Sequence, residues 1–259
     1  MKRISSLFLV LIFCFQGFTY AQKPSDQVKS NDTTNQTDKS GNKFGYWEET
    51  IGDIIYSGIY RDNQKSGAWT GQYPNKMISG IEHYSNGMKD GIVIRVDRHG
   101  KINQIENYKT GMLHGQSLSF GAYSDNPSTE INYFAGKKNG TFKQYYDNGK
   151  IQEESYFIND KKNGVSKWSN KTGHIVAEYN YKNGDFDGSQ KTYYDNDTLQ
   201  SVNNYVNNQL SGVSKEYYRN GMEKITGQYI AGIKEGAWTE FDESGKVLKV
   251  TKYKGGIAK

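Results

Sequence analysis

Residues 133–157 read YFAGKKNGTFKQYYDNGKIQEESYF, and residues 229–253 read YIAGIKEGAWTEFDESGKVLKVTKY. Both open and close on an aromatic residue. Both place a glycine seven positions after the first aromatic (Gly140, Gly236) and another nine positions further on (Gly149, Gly245). Aligning the whole chain on the first of these glycines gives Gly45, Gly67, Gly91, Gly115, Gly140, Gly164, Gly188, Gly212 and Gly236, in steps of 22, 24, 24, 25, 24, 24, 24 and 24. The aromatic seven residues ahead returns as Tyr60, Tyr84, Tyr108, Tyr133, Phe157, Tyr181, Tyr205 and Tyr229, with Tyr253 next in register. A period held over about 210 residues defines a repeat architecture.

Four residues before each aligned glycine stand Asn63, Gly87, Gly111, Gly136, Asp160, Gly184, Asn208 and Gly232, residue types that tolerate positive φ at the corner of a turn. A second turn follows nine residues after the glycine, at Gly100, Gly149, Gly173, Asp197, Gly221 and Gly245. Two turns per unit, with apolar and aromatic residues between them, make each unit a β-hairpin. Strand alternation puts Phe142, Gln144 and Tyr146 on one side and Thr141, Lys143 and Tyr145 on the other. It puts Ile151, Glu153, Ser155 and Phe157 on one face after the second turn, and places Ile102, Ile175, Leu199 and Val247 with their tyrosines in the same way.

Ordering 24 residues costs roughly 1–2 kcal/mol each in backbone entropy, whereas one buried large side chain returns about 1.5–3 kcal/mol. A lone hairpin therefore fails, and stability accumulates between neighbours. The expected fold is all-β: an elongated, single-layer antiparallel sheet of about nine hairpins, roughly 80 Å long at ~4.8 Å per strand, with little interior.

The succession of aromatic, Gly-turn, second Gly, strand and Asn-Gly turn resembles the variant form of the MORN repeat over about Lys43 to Lys259. The first unit, FGYWEETIGDIIYSGIY, departs from the pattern, and Ser117, Ser166 and Ser214 stand where Trp47, Trp69 and Trp238 stand elsewhere. The resemblance implies scaffolding or membrane association. Bacterial chains with this repeat also often carry a toxin–antitoxin label, which implies an antitoxin-like role, but a cleaved export signal does not suit a cytosolic antitoxin.

The amino terminus, MKRISSLFLVLIFCFQGFTYAQ, sets Lys2 and Arg3 ahead of an apolar run from Ile4 to Phe18. It reads as a secretory signal peptide, residues 1–21, cleaved after Ala21. The expected location is therefore the periplasm, the cell surface or the medium. Cleavage removes Cys14, the single cysteine, and with it disulfides, thiolate metal sites and thiol nucleophiles. It leaves 31 basic and 28 acidic side chains, a balance that asks for no polyanion, so nucleic acid is not expected as a partner. Residues 22–42, QKPSDQVKSNDTTNQTDKSGN, are too polar to bury surface and read as a disordered tether ahead of the array at 43–259.

No catalytic constellation, cofactor or metal site is expected, and the chain does not read as an enzyme. The glycines follow the period and serve turns. His83, His99, His114 and His174 fall in different slots without metal-ligand spacing. The calcium-like phrases at Asp195–Thr198 and Asp185–Gly188 coincide with repeat turns. The candidate ladder is Tyr84, Tyr108, Tyr133, Phe157, Tyr181, Tyr205 and Tyr229 with Trp69, Trp168 and Trp238. It serves either to pack hairpin on hairpin or as a platform for a partner. Trp47, Trp69 and Trp238 suit capping of the apolar ladder near its ends. Lysines such as Lys137-Lys138 and Lys161-Lys162 read as soluble turn residues that discourage edge pairing, or as contacts for acidic headgroups or surface polymers. The expected function is an exported scaffold binding protein. Binding to cell-wall or surface carbohydrate is the alternative, because GAW and QYYDNG resemble phrases of choline- and glucan-binding repeats. A membrane surface is the less favoured partner.

Overall fold

The computed structural model describes residues 33–122 and 124–259; the signal peptide and the beginning of the tether lie outside the described residues. Thr34–Lys259 form one compact unit built from a single 23-stranded antiparallel sheet. Eighteen strands of six to nine residues make nine hairpins, from Lys43–Ile51 with Ile54–Arg61 to Ile233–Phe241 with Val247–Lys254. Five two-residue strands complete the sheet. Each long strand pairs with its neighbours in sequence, so the topology is a continuous meander. Among the described residues only Tyr60, Trp69, Val93, Ala177 and Trp238 are buried apolar side chains, as a single layer requires.

The short turns are two-residue turns with both central residues at positive φ, the type I′ pattern whose twist matches the strands. Asn86-Gly87 (49° and 75°) and Asn183-Gly184 (54° and 95°) are favourable examples. Thr110, Ala135 and Ala231 take the same left-handed first position at 48°, 49° and 49° without a side chain suited to it. The backbone N–H of the second turn residue donates to a carbonyl one unit back, from Asn63 to Lys43 and onward to Gly256 to Lys234, nine times at 2.7–3.0 Å. The long turns are three-residue loops closed by a left-handed residue, as at Gly100, whose N–H donates to Asp97 O (3.0 Å). Two loops account for the odd steps of the repeat. The 22-residue unit replaces its long turn with the two-residue Gly52-Asp53 turn. The 25-residue unit carries its extra residue in the loop 121–126.

Two expectations change. The tether does not extend to Asn42: Gln36–Thr37 pair with Lys43 and Phe44, and Trp47 Nε1 donates to Gln36 O (3.1 Å), so a tryptophan orders a polar segment that could not order itself. Ile151 also does not share a face with Glu153, Ser155 and Phe157. Gln152 is a bulge residue, because Gln144 pairs with Glu153 but Tyr145 pairs with Ile151. Ile151 therefore lies beside Glu154, Lys167 and Ile175 on the opposite face. The same register shift carries Ile102, Ile175, Leu199 and Val247 away from their tyrosines. The aligned glycines also do more than precede strands. Gly140 lies inside Lys137–Tyr145 at φ 112°, where a wide bulge lets Tyr133 face Lys138 while Ile131 faces Phe142.

Candidate interaction surface

The bulges sort the side chains onto two faces of different chemistry. On the aromatic face, the position two residues after each aligned glycine forms a central row: Trp47, Trp69, Val93, Ser117, Phe142, Ser166, Gln190, Ser214 and Trp238. Trp69 is fully buried and Trp238 is 7% exposed. Each lies flat over a glycine of the preceding strand, Gly58 and Gly227, where an added Cβ would come within 2.5 Å of Trp69 Cδ2 and 2.6 Å of Trp238 Cγ. Their indole N–H groups donate to Ile59 O (3.2 Å) and Gln228 O (3.3 Å). Where the row holds serine, the space is filled differently. Ser166 is 1% exposed, and Trp168, two residues further on, packs against Tyr179 with ring centroids 5.0 Å apart.

The tyrosine series Tyr84, Tyr108, Tyr133, Phe157, Tyr181, Tyr205 and Tyr229 lies beside this row, half-buried throughout. It is not one continuous stack. Edge-on contacts join Trp47, Tyr60, Trp69 and Tyr84 at 5.2–6.4 Å, Phe142 and Phe157 at 5.7 Å, and Tyr229, Trp238 and Tyr253, while mostly tilted contacts join Trp168, Tyr179, Tyr181, Phe186 and Tyr205 at 4.9–6.5 Å. Much of the ring surface is already occupied. In six of the nine units the residue two before the aligned glycine is a lysine that lies over the rings, Leu113, Phe186 and Leu210 standing there in the others: Lys65 is 4.0 Å from the Trp69 centroid, Lys162 4.6 Å from Trp168 and Lys234 4.1 Å from Trp238. Lys138 and Lys162 are therefore half-buried ring partners, and only Lys137 and Lys161 match the expected solvated turn residue.

Carboxylates complete these boxes. Burial pushes the Glu49 carboxyl up, but hydrogen bonds from Lys43, Lys65 and Tyr60 outweigh it and hold the pKa at about 2. Burial likewise raises Glu82, and Tyr84 and Lys89 overcome it to leave a lowered value. Tyr84 in turn is raised by burial and by its bond to Glu82. These perturbed groups are partners of one another within the lysine–aromatic network. The other polar candidates are likewise held. His174 pairs with Asp197 (2.8 Å) and His83 Nδ1 with Ile92 O (2.9 Å), while His114 stacks on Phe134. Asp195 accepts from Arg219 and Asp185 from Asn208. Among the described residues no group of three such side chains is placed to hold a metal ion.

The opposite face escaped the sequence reading. Its central row begins with Thr70, Ile81, Ile94, Ile105 and Leu118, directly paired across five strands. It continues as Glu130, Lys143, Glu154, Lys167, Glu178 and Lys191, alternating in sign. Lys143–Glu154 and Lys167–Glu178 are 3.5 and 3.8 Å apart. Apolar side chains flank the charged stretch, among them Ile151, Ile175 and the exposed Tyr156 and Val165. Lys150, Ile151, Glu154, Lys167, Ser169 and Ile175 line an open depression of about 420 Å³ there. The signal for this face is the alternation within each strand, which becomes readable only once the bulges are known.

Four segments, residues 138–159, 162–183, 186–207 and 234–254, match the family model of the MORN repeat variant. Each begins on the half-buried residue two before an aligned glycine, so the family repeat and the structural hairpin share one phase. No curated protein matches the chain. MORN repeats generally serve protein or membrane-surface interactions.

Proposed function

We propose that this chain of MORN variant repeats is an exported, non-enzymatic scaffold whose aliphatic face holds a protein partner at the cell envelope or outside the cell. One observation carries the reading: across residues 127–206 that face sets a ladder of alternating Lys and Glu between rows of exposed apolar and aromatic side chains. Exposed apolar and aromatic side chains supply contact area for a partner, and the charged ladder between them supplies register and specificity. The aromatic face, by contrast, spends its rings on lysines and on each other. The apolar leader with Lys2 and Arg3 ahead of it supports export.

The test is co-sedimentation of the purified protein with envelope fragments, before and after protease digestion of the fragments. The expected result is binding that disappears on digestion and that falls at least tenfold in Ile175→Lys. Full binding to digested fragments, or an Ile175→Lys variant that binds as the parent does, overturns the assignment.

A second reading has its own observation. Tyr179, Phe186 and Tyr205 wall a depression of about 170 Å³ on the aromatic face, floored by Gln190, Thr192, Ser201 and Asn203. Aromatic walls with amide and hydroxyl groups suit a sugar ring. Trp168 lies 5.0 Å from Tyr179, so indole fluorescence reports on the site. Envelope glycans at millimolar concentration that leave the emission unchanged remove this reading.

A further inference from the structure

The amino-terminal third of the aliphatic face differs from the stretch proposed to hold the partner. Ile81, Ile94, Ile105 and Leu118 form an unbroken aliphatic line, paired strand to strand, with Ile78 (45% exposed) and Ile92 (40% exposed) on either side of it. The line from Thr70 to Leu118, and the parallel row of Ala68, His83, Ile92, Asn107 and Gln116, contain no Lys, Arg, Asp or Glu. With Ser57, which pairs with Thr70 on the same face, the uncharged line spans six strands; at ~4.8 Å spacing and about 20 Å of strand length they make a patch of roughly 600 Å², at the upper limit of what a monomer leaves bare.

We infer that this patch joins two copies of the chain face to face. Three features select a second copy. First, a pair of patches buries about 1,200 Å² in total, the lower bound of a stable specific interface. Second, a grid of aliphatic side chains repeating at strand spacing is matched by another sheet with the same pleat and twist, packed about 10 Å away, whereas a helix covers one stripe of it. Third, the neighbouring charges allow one two-fold arrangement and forbid the other. A two-fold axis parallel to the strands lays patch on patch and carries the Glu130-to-Lys191 rows of the two copies to opposite ends. An axis along the array stacks Glu on Glu and Lys on Lys. The dimer therefore has its arrays antiparallel, with both partner-binding stretches free, so a scaffold of this kind engages its target twice.

Sedimentation velocity of the protein as purified from an exporting host, from 1 to 100 µM, tests the inference. The expected result is a dimer at the upper concentrations that reverts to monomer in Ile94→Lys/Ile105→Lys and persists in Val213→Lys, a change on the same face outside the patch. Should the double variant fail to fold, by far-ultraviolet circular dichroism, Ile92→Lys alone and disulfide capture by Ile94→Cys, with Val213→Cys as the uncaptured control, read the same contact. A parent that stays monomeric at 100 µM overturns the inference, as does a dimer unchanged in the folded patch variants. A monomer that floats with phosphatidylcholine vesicles through Ile94 also overturns it and assigns the face to lipid. Partner capture by the Ile175 region is read separately, so either proposal can fail without the other.

Discussion

Replacing Gly227 with alanine tests whether tryptophan and glycine are matched across the sheet. Gly227 has no positive φ, so backbone strain is not the issue; the added Cβ falls 2.6 Å from Trp238 Cγ, with Cδ2 and Cε2 closer still. Carbon atoms rest at about 3.5–4.0 Å, so the indole must move by about 1 Å. Overpacking of this kind costs about 1–3 kcal/mol. The displacement also weakens the Nε1 bond to Gln228 O, about 0.5–1.5 kcal/mol, and the Lys234 contact at 4.1 Å, about 0.5–1 kcal/mol. The expected loss is about 3 kcal/mol, roughly a hundredfold in the opening equilibrium of the last hairpins. Because units of a repeat array open separately, the assay is amide hydrogen exchange of peptides spanning 225–254. Gly121→Ala, with open space around its Cβ, is the control and leaves exchange unchanged or slightly slower. Trp238→Ser in the Gly227→Ala background restores what the added methyl took. Protection within threefold of the parent in Gly227→Ala, or a double variant no better than the sum of the singles, refutes the matching.

Ala135→Asn and Ala231→Asn should each stabilise the array by about 0.5–1 kcal/mol in urea unfolding, because the left-handed first turn position strains alanine and suits asparagine; unchanged or lower midpoints contradict the turn assignment. The Glu49 carboxylate, held at about 2, contributes stability that is complete above the unfolded carboxylate value near 4.3 and lost as the pH falls from there toward 2. Thermal melts of Glu49→Gln should therefore lie below the parent at pH 7 and converge with it near pH 2. Lys138→Gln should cost about 0.5–1 kcal/mol through its ring contacts at 5.6 and 5.4 Å with Phe142 and Phe157, while its exposed neighbour Lys137→Gln stays within about 0.5 kcal/mol. Equal effects would place both lysines in solvent.

The repeat, both turns and the all-β class are legible in residues such as Asn86-Gly87 and Gly149 because turn geometry is written in the local chain. Which face a strand residue occupies is written only partly there. One bulge at Gln152 reverses Ile151 relative to Glu153, and a period-2 reading that passes through a bulge assigns the next side chain to the wrong side. That error hid the aliphatic face and merged two rows into one ladder. The inward lysines were missed for a related reason. Lys137 and Lys138 are adjacent and chemically identical, and only the wide bulge at Gly140 decides that Lys138 turns onto the rings. The tryptophan–glycine match was legible in principle: Gly58 and Gly227 each stand eleven residues before their tryptophan.

Beyond the strand ladders, two sets of bonds that tie one hairpin to the next span about one period. The turn N–H groups reach back one unit. Tyr73, Tyr146, Tyr194 and Tyr218 each donate a hydroxyl to the carbonyl twenty-three residues ahead. Duplicating or deleting one whole hairpin therefore preserves the spacing of the remaining links, and the length of the array is free to change by whole units. A single inserted residue has no such freedom except where a link is absent. Asp97 occupies the slot of those tyrosines and caps its own turn, through His99 N and Lys101 N. The following loop, which lacks the tyrosine link and is held instead through Lys101 Nζ donating to Ala122 O (3.0 Å), is the one that holds the extra residue of the 25-residue unit.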